Sequence, residues 1–258
     1  MGNLVLPVLT LCGRELTRFF RQRSRVIGAV VQPLMFWGLV GAGFRASFQP
    51  PGVPAGTSYA AYAFPGILAM VLLFTAIFST ISVVDDRRQG FLQGVLVAPV
   101  PRGSIVLGQA LGCTALAVLQ GVLFLLLGPV VGVPLTISSA LAVTGVLVLV
   151  AFGLSSLGLA IAWRLDSTQG FHAIMNLVLL PMWVLSGAFF PAMGVPGWLG
   201  WVMQVNPMTY GLAAIRRTLY LATPGASGAV PDLTLSLGVT ILFGAAAFAT
   251  AVAVARKR

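Results

Sequence analysis

The sequence predicts an all-α polytopic membrane protein with six transmembrane helices and an amphipathic helix ahead of them. Three observations carry that expectation. Hydrophobic residues make up 58% of the chain and charged ones 8%, with a mean hydropathy of +1.00, above the roughly 45–50% apolar content of soluble domains. Apolar runs of about twenty residues recur without a charge, the length a helix needs to cross about 30 Å of hydrocarbon. Prolines and glycines collect between those runs, in QPPGVPAG at 49–56, GPVVGVP at 128–134 and PAMGVPG at 191–197. Backbone groups there can reach water.

Residues 1–25 form the first element. On a helical wheel Arg14, Arg18, Arg21 and Arg25 share one side, and Leu9, Cys12, Leu16, Phe19 and Phe20 the other. A basic amphipathic helix of this kind lies in the headgroup layer instead of crossing it. The opening MGNLVLPVLTLCGRE has no positive stretch ahead of its apolar part, so a cleaved signal peptide is not expected; Leu11 before Cys12 also does not suit lipoprotein processing.

The spans follow at about 26–44, 64–84, 104–127, 139–163, 171–190 and 233–255. Small residues on their surfaces let helices approach: Gly38, Gly41 and Gly43 in the first, Gly108 and Gly112 in the third, Ser155, Ser156 and Ala160 in the fourth. Each can serve a seam between subunits or packing inside the chain.

Orientation comes from the arginines. Arg14, Arg18, Arg21, Arg23 and Arg25 precede the first span; Arg87, Arg88 and Arg102 lie between the second and third, and Arg164 between the fourth and fifth. Arg256, Lys257 and Arg258 follow the sixth, while the other side holds Arg45, Arg216 and Arg217. Both termini are therefore expected in the cytoplasm.

Between the second and third spans lies DDRRQGFLQGVLVAPVPRG, residues 85–103. Four charges, Asp85, Asp86, Arg87 and Arg88, precede a short apolar piece. Phe91 stacks on Val95 and Leu92 on Leu96 at helical spacing, with Gln89, Gln93, Gly90 and Gly94 on the other side. Ala98 before Pro99 ends the helix, because proline disfavours the helical conformation of its predecessor. The segment is too short to span. Its small-residue face suits a docking partner, although a plain interfacial loop is the alternative.

Two blocks of sequence resemble the ABC type-2 exporter permeases, in their drug- and lipid-exporting branch. The first is Arg88-x-Gly90-Phe91-Leu92, then Leu96-Val97-Ala98-Pro99-Val100, Arg102 and Ile105-Val106-Leu107-Gly108. The second is Ser186-Gly187, Phe190-Pro191, Pro196, Trp198, Asn206-Pro207, Thr209-Tyr210 and Arg216. With the six spans, the similarity covers nearly the whole chain. It implies that residues 86–99 are a cytoplasmic coupling helix seated in a groove of a separate ATPase subunit. Asp86, Arg88, Gly90, Phe91, Leu92, Gln93, Leu96 and Pro99 are its contact positions; Gln93 stands where many relatives carry glutamate, which departs from a charged contact there. It also implies short re-entrant helices at 192–222 on the outer face, built on Ser186, Gly187, Pro191, Asn206, Pro207, Tyr210 and Arg216. Arg216 and Arg217 would then snorkel to the outer headgroups.

Other classes have less to work with. A P-loop needs a lysine for the phosphates, and Lys257 in the tail is the one lysine present. No cofactor is therefore expected on this chain, and ATP and Mg belong on the partner ATPase. An ion-coupled secondary transporter is the alternative of another class, yet Glu15, Asp85, Asp86, Asp166 and Asp232 all fall outside the middles of spans, and His172 near the start of one. The sequence has no HExxH or GxSxG for an intramembrane enzyme. Two cysteines, Cys12 and Cys113, make neither a disulfide framework nor a metal site. The net charge of +10 sits at the ends of apolar runs rather than on one face, so nucleic acid is not an expected partner.

The expected assembly is a homo- or heterodimer of permease subunits with two ATPases in a bacterial cytoplasmic (inner) membrane. Its span interiors are greasy, with isolated polar groups at Gln32, Gln120 and Asn176. That lining suits a lipophilic drug-like molecule or lipid more than a polysaccharide, which would want stacked aromatics; a polysaccharide exporter is the second alternative.

Overall fold

The computed structural model describes residues 5–21, 23–43, 59–91, 94, 100–190, 194–221, 223–228 and 230–257. Leu92, Gln93, Leu96, Pro99 and Pro191 lie outside the described residues, as do the loop at 49–56 and the side chains of Arg23, Arg25 and Gln32.

Among the described residues the chain is helices and turns. It begins with α1 (Val5–Arg21) and α2 (Arg23–Gly43). Next, α3 (Tyr59–Ser79) continues past a turn at Thr80 into α4 (Ile81–Arg88). Three long helices follow, α5 (Arg102–Leu125), α6 (Ile137–Ala162) and α7 (Thr168–Trp183), the last running into a π turn, Val184–Ala188. Two short ones, α8 (Gly197–Val205) and α9 (Pro207–Leu219), precede α10 (Leu233–Arg256).

Among the described residues five stretches are long and apolar enough to cross a membrane: Tyr59–Arg88, Arg102–Val130, Ile137–Ala162, Thr168–Ala188 and Leu233–Arg256. They match the second to sixth expected spans. The first expected span falls on α2, whose apolar part is the shorter Pro33–Gly43; Pro33 there removes one intrahelical donor.

Local chemistry sets the helix starts. Thr136 accepts from the Ser139 amide at 3.2 Å while the Ser139 hydroxyl accepts from the Thr136 amide at 2.9 Å, a reciprocal cap for α6. Asn206 accepts from the Met208 amide at 3.0 Å ahead of Pro207, which opens α9. Asp232 caps α10 through the Thr234 amide.

The helix α3 is the buried column, with Phe64, Leu68, Leu72, Leu73, Ala76 and Ile77 wholly enclosed by α2, α5, α6, α7 and α9. Glycines allow the close approaches. A Cβ on Gly66 would lie 2.8 Å from the Ala188 carbonyl oxygen, and Gly153 of α6 meets Gly244 of α10 almost backbone to backbone. Ser155, Ser156 and Ala160 are likewise buried inside the chain. Gly41 touches Ala60, whereas Gly38 and Gly43 have open space beside them.

The bundle has two distinct ends. One gathers α1, the end of α4, the start of α5, the α6–α7 connection and the end of α10, where Gly103 lies beside Val252. The other gathers the start of α3 with α8, α9 and the start of α10; there the Tyr220 hydroxyl donates to the Ala61 carbonyl at 3.4 Å and Arg217 to those of Val230 and Pro231. Arg14, Arg18, Arg21, Arg87 and Arg102 belong to the first end; Arg216 and Arg217 belong to the second.

One boundary differs from expectation. A helix from 86 to 99 is not continuous, because α4 closes at Arg88 and the backbone turns at Gly90 with φ +76. Glycine adopts that left-handed conformation without a Cβ clash. Asp86 and Arg88 therefore belong to the end of the preceding helix, on the near side of the turn at Gly90.

Candidate functional site

The site begins with α1, which has three faces. Leu11, Glu15 and Phe19, four apart, are buried against α5. There Gly108 and Gly112 leave room: a Cβ on Gly108 would come within 3.0 Å of Leu11 Cβ, and one on Gly112 within 2.9 Å of Glu15 Cβ. These two glycines thus seat α1 within the chain. A second face, with Val5, Leu6, Leu9 and Phe20, is apolar and exposed. The expected apolar side therefore divides, with Phe19 inward and Leu9 and Phe20 outward.

The third face carries the arginines, and α4 brings carboxylates to meet them. Arg14 grips Asp86 with two parallel hydrogen bonds of 2.6 Å each, and Arg18 adds one to Asp86 at 3.0 Å and one to Asp85 at 3.3 Å. Asp86 is only 1% exposed. A buried carboxylate held by two guanidinium groups makes short, charge-assisted bonds with a fixed geometry. Arg14 also lies over the Phe91 ring, 4.0 Å from its centroid, a cation–π contact. The N-terminal helix thereby touches the first residue after the turn.

Arg87 points another way. Its guanidinium donates to the carbonyls of Trp163 at 2.8 Å and Leu165 at 3.2 Å and to Asp166 at 2.9 Å, tying α4 to the α6–α7 connection. In one turn of α4, the two acids hold α1 and the first base holds the far connection. Arg88, by contrast, is exposed.

Glu15 lies on the buried side of this cluster, 3.6 Å from Arg14. Burial lifts its carboxyl above the ordinary carboxylate range and Asp86 pushes the same way; a hydrogen bond from Ser82 and the charges of Arg14 and Arg18 oppose them. A folded-state pKa raised above the unfolded value stabilises the fold below the unfolded pKa, and that contribution is lost as pH rises through the folded pKa. Glu15→Gln removes the loss. Its melting midpoint in detergent should match the native one near pH 4 and exceed it increasingly toward neutral pH; a pH-independent difference would contradict this.

At the other end, the second sequence block forms a network around a helix break. Gly187 has φ +89 inside the π turn, and side-chain donors reach the carbonyls around it. Ser186 donates to the Trp183 carbonyl, the Trp183 indole to the Gly66 carbonyl at 2.8 Å, and Asn206 to the Met182 carbonyl at 2.7 Å. The Tyr210 hydroxyl donates to the Gln204 carbonyl at 2.8 Å. Arg216 donates to the Gly187 carbonyl at 3.1 Å and stacks 4.6 Å above the Tyr62 ring.

This corrects the expectation that Arg216 and Arg217 snorkel outward. Arg216 is 5% exposed and Arg217 caps the loop carbonyls of Val230 and Pro231. Broken helices in an apolar setting need donors for freed carbonyls, and these arginines supply them. Between α7 and α8 an apolar cleft of about 300 Å³ opens, lined by Pro181, Met182, Leu185, Trp201, Val202 and Val205.

Among the described residues the isolated polar groups of the spans, Gln120 and Asn176, do not converge on a site. Gln120 accepts from the Thr75 hydroxyl, Asn176 is exposed, and His172 stacks against Phe78 at 5.2 Å. Among the described residues no group of histidines, cysteines or carboxylates is suited to a metal ion.

Residues 7–220 match the family described as ABC-2 type transporter. A putative transport permease ycf38 of Porphyra purpurea is 26% identical over 216 residues, covering 83% of this chain and 74% of that protein. The same-named protein of Cyanophora paradoxa is 28% identical, with 82% and 73% covered. Nodulation protein J of Rhizobium leguminosarum bv. viciae is 25% identical over 237 residues, with 91% and 88% covered.

Proposed function

The chain belongs to the ABC-2 type transporter permease family, and from that premise we propose that it is the membrane subunit of an ATP-driven exporter. The ATP and Mg sit on a partner ATPase. In this reading α2 is the first of six spans, both termini are cytoplasmic, and two permease subunits pair in a bacterial cytoplasmic membrane.

The observation that carries the proposal is the ionic junction on α4. The segment after Gly90 is the part that would dock on the ATPase, and it emerges from a helix end braced in two directions by Asp85, Asp86 and Arg87. A push delivered at Phe91 reaches α1 through Arg14 and reaches α7 through Arg87. Such a lever needs rigidity at its root, and charge-assisted bonds to a buried carboxylate provide it.

The substrate reading is a lipophilic drug-like molecule or lipid moved out of the cytoplasm or inner leaflet. Its supports are the apolar cleft beside Trp201 and the scarcity of polar groups in the spans. The helices at 197–219 are read as re-entrant from the outer face, with Ser186, Gly187, Pro191, Asn206, Pro207, Tyr210 and Arg216 holding them.

The test is to express the chain together with the products of its neighbouring genes and ask whether an ATPase co-purifies. Phe91→Asp combined with Leu92→Asp should strip that ATPase away while the permease still elutes as a single folded species. Retention of an active ATPase by the double variant would refute docking at this segment. Transport driven by a proton or sodium gradient in ATP-free vesicles would refute the energy source.

A further inference from the structure

The junction employs Arg14 and Arg18 but leaves Arg21 without a task. Among the described residues Arg21 makes no ion pair. With Thr17 and the flanks of Arg14 and Arg18 it lines an open cleft of about 470 Å³ along α1. Arg14 and Arg18 pair with the two carboxylates of α4, Asp86 and Asp85, and Arg21 is the surplus charge of the lining. Glu15 approaches Arg14 but lies on the side buried against α5, outside the cleft lining. Arg18 spends two of its five N–H donors on Asp85 and Asp86, so donors remain for another anion.

The neighbouring face of α1 tells what that anion is attached to. Leu6, Leu9 and Phe20 are 64%, 63% and 54% exposed, and Phe20 directly precedes Arg21. An apolar stripe of this kind is stable when it rests in acyl chains, and a helix lying so carries its flanking arginines at the depth of the lipid phosphates. The cleft and the stripe share one helix, side by side.

We propose that this cleft binds the phosphate of an anionic phospholipid, with Arg21 as the principal contact and Arg18 as the second. The phosphate sits over the surplus charge, and its acyl chains lie along Leu9 and Phe20. The proposal rests on the interfacial placement of α1 and is independent of which protein docks at Phe91.

The experiment uses the permease alone, exchanged into vesicles of equal parts phosphatidylglycerol and phosphatidylcholine, re-extracted and weighed intact by mass spectrometry to count retained lipids. Phosphatidylglycerol should be retained in preference to phosphatidylcholine, and Arg21→Gln should lower its retention about fivefold, the effect of one basic side chain near a membrane surface. Arg21→Lys should keep most of it. Arg256→Gln, a charge-matched control at the same end of the bundle, should keep all of it.

An equal loss in both glutamine variants would mean attraction by net charge alone and overturn the site. Displacement of the lipid by inorganic phosphate would make it a free-anion site and overturn the lipid assignment. Full lipid retention in Arg21→Gln would show that the cleft does not hold the lipid and overturn it too. Because the lipid count needs no ATPase, its failure is separate from failure of the transport reading.

Discussion

Asp86→Ala should destabilise the folded protein by about 3 kcal/mol, near the lower edge of the 3–5 kcal/mol range for removing one partner from a buried ion pair. The substitution leaves Arg14 and Arg18 facing a gap where a carboxylate took three hydrogen bonds. The arginine side chains are 30% and 20% exposed, so water partly relieves the stranded charges and places the effect at that edge. Melting in detergent, followed by gel filtration, measures the loss. A double-mutant cycle with Arg14→Ala should recover part of it, because the second deletion removes the charge that the first one strands. Asp86→Asn, which keeps the shape without the charge, should fall between. An unchanged midpoint for Asp86→Ala would mean that the apolar seam alone holds α1 in place.

Gly108→Val with Gly112→Val should lift α1 from α5. A Cβ on Gly108 meets Leu11 Cβ at 3.0 Å and the Val8 Cα and carbonyl oxygen at 3.1 Å; on Gly112 it meets Glu15 Cβ at 2.9 Å and Cys12 Cα at 3.3 Å. These are backbone atoms and Cβ atoms, with no flexible end to swing aside, so the helix itself must move. Overpacking of this kind costs about 1–3 kcal/mol per site. Amide hydrogen exchange across residues 5–21 should speed up while α3, the enclosed column, stays protected. Exchange in α3 rising equally would mean global unfolding and would discount α1 as a separately seated element. Each single variant should show the effect in part.

Combining the two experiments distinguishes rigidity from adhesion. Glu15 touches both regions, through Gly112 on one side and Arg14 on the other. Losses from Asp86→Ala and Gly112→Val should therefore not add, since each removes support on which the other depends.

Several features could be read from local sequence. The spans beginning near 104, 139, 171 and 233 start within a few residues of α5, α6, α7 and α10. A membrane helix is written in about twenty consecutive residues, because every backbone group must be satisfied within the segment. The amphipathic character of residues 5–21 was equally local. The charges at 85–88 announced themselves as unusual, but not their partners.

Those partners lie far away in the chain. Asp86 finds Arg14, 72 residues earlier, and Arg87 finds Asp166, 79 residues later. One signal was available, the i,i+4 spacing of Arg14 and Arg18 against two adjacent acids, yet pairing them requires knowing how α1 lies on α5. The arginines of α9 show the same limit. Wheel and hydropathy leave Arg216 free to reach headgroups, whereas the break at Gly187 presents a carbonyl that draws it inward.

The linear order of residues thus determined the class of molecule, the apolar segments and the uneven distribution of positive charge, since each depends on composition within a short window. Tertiary structure alone decided which charges neutralise one another, which glycines are seats for a neighbouring helix, and where the helix at 81–88 ends. Those outcomes depend on the rotation and depth of one helix against another, and neither quantity is encoded in any single stretch.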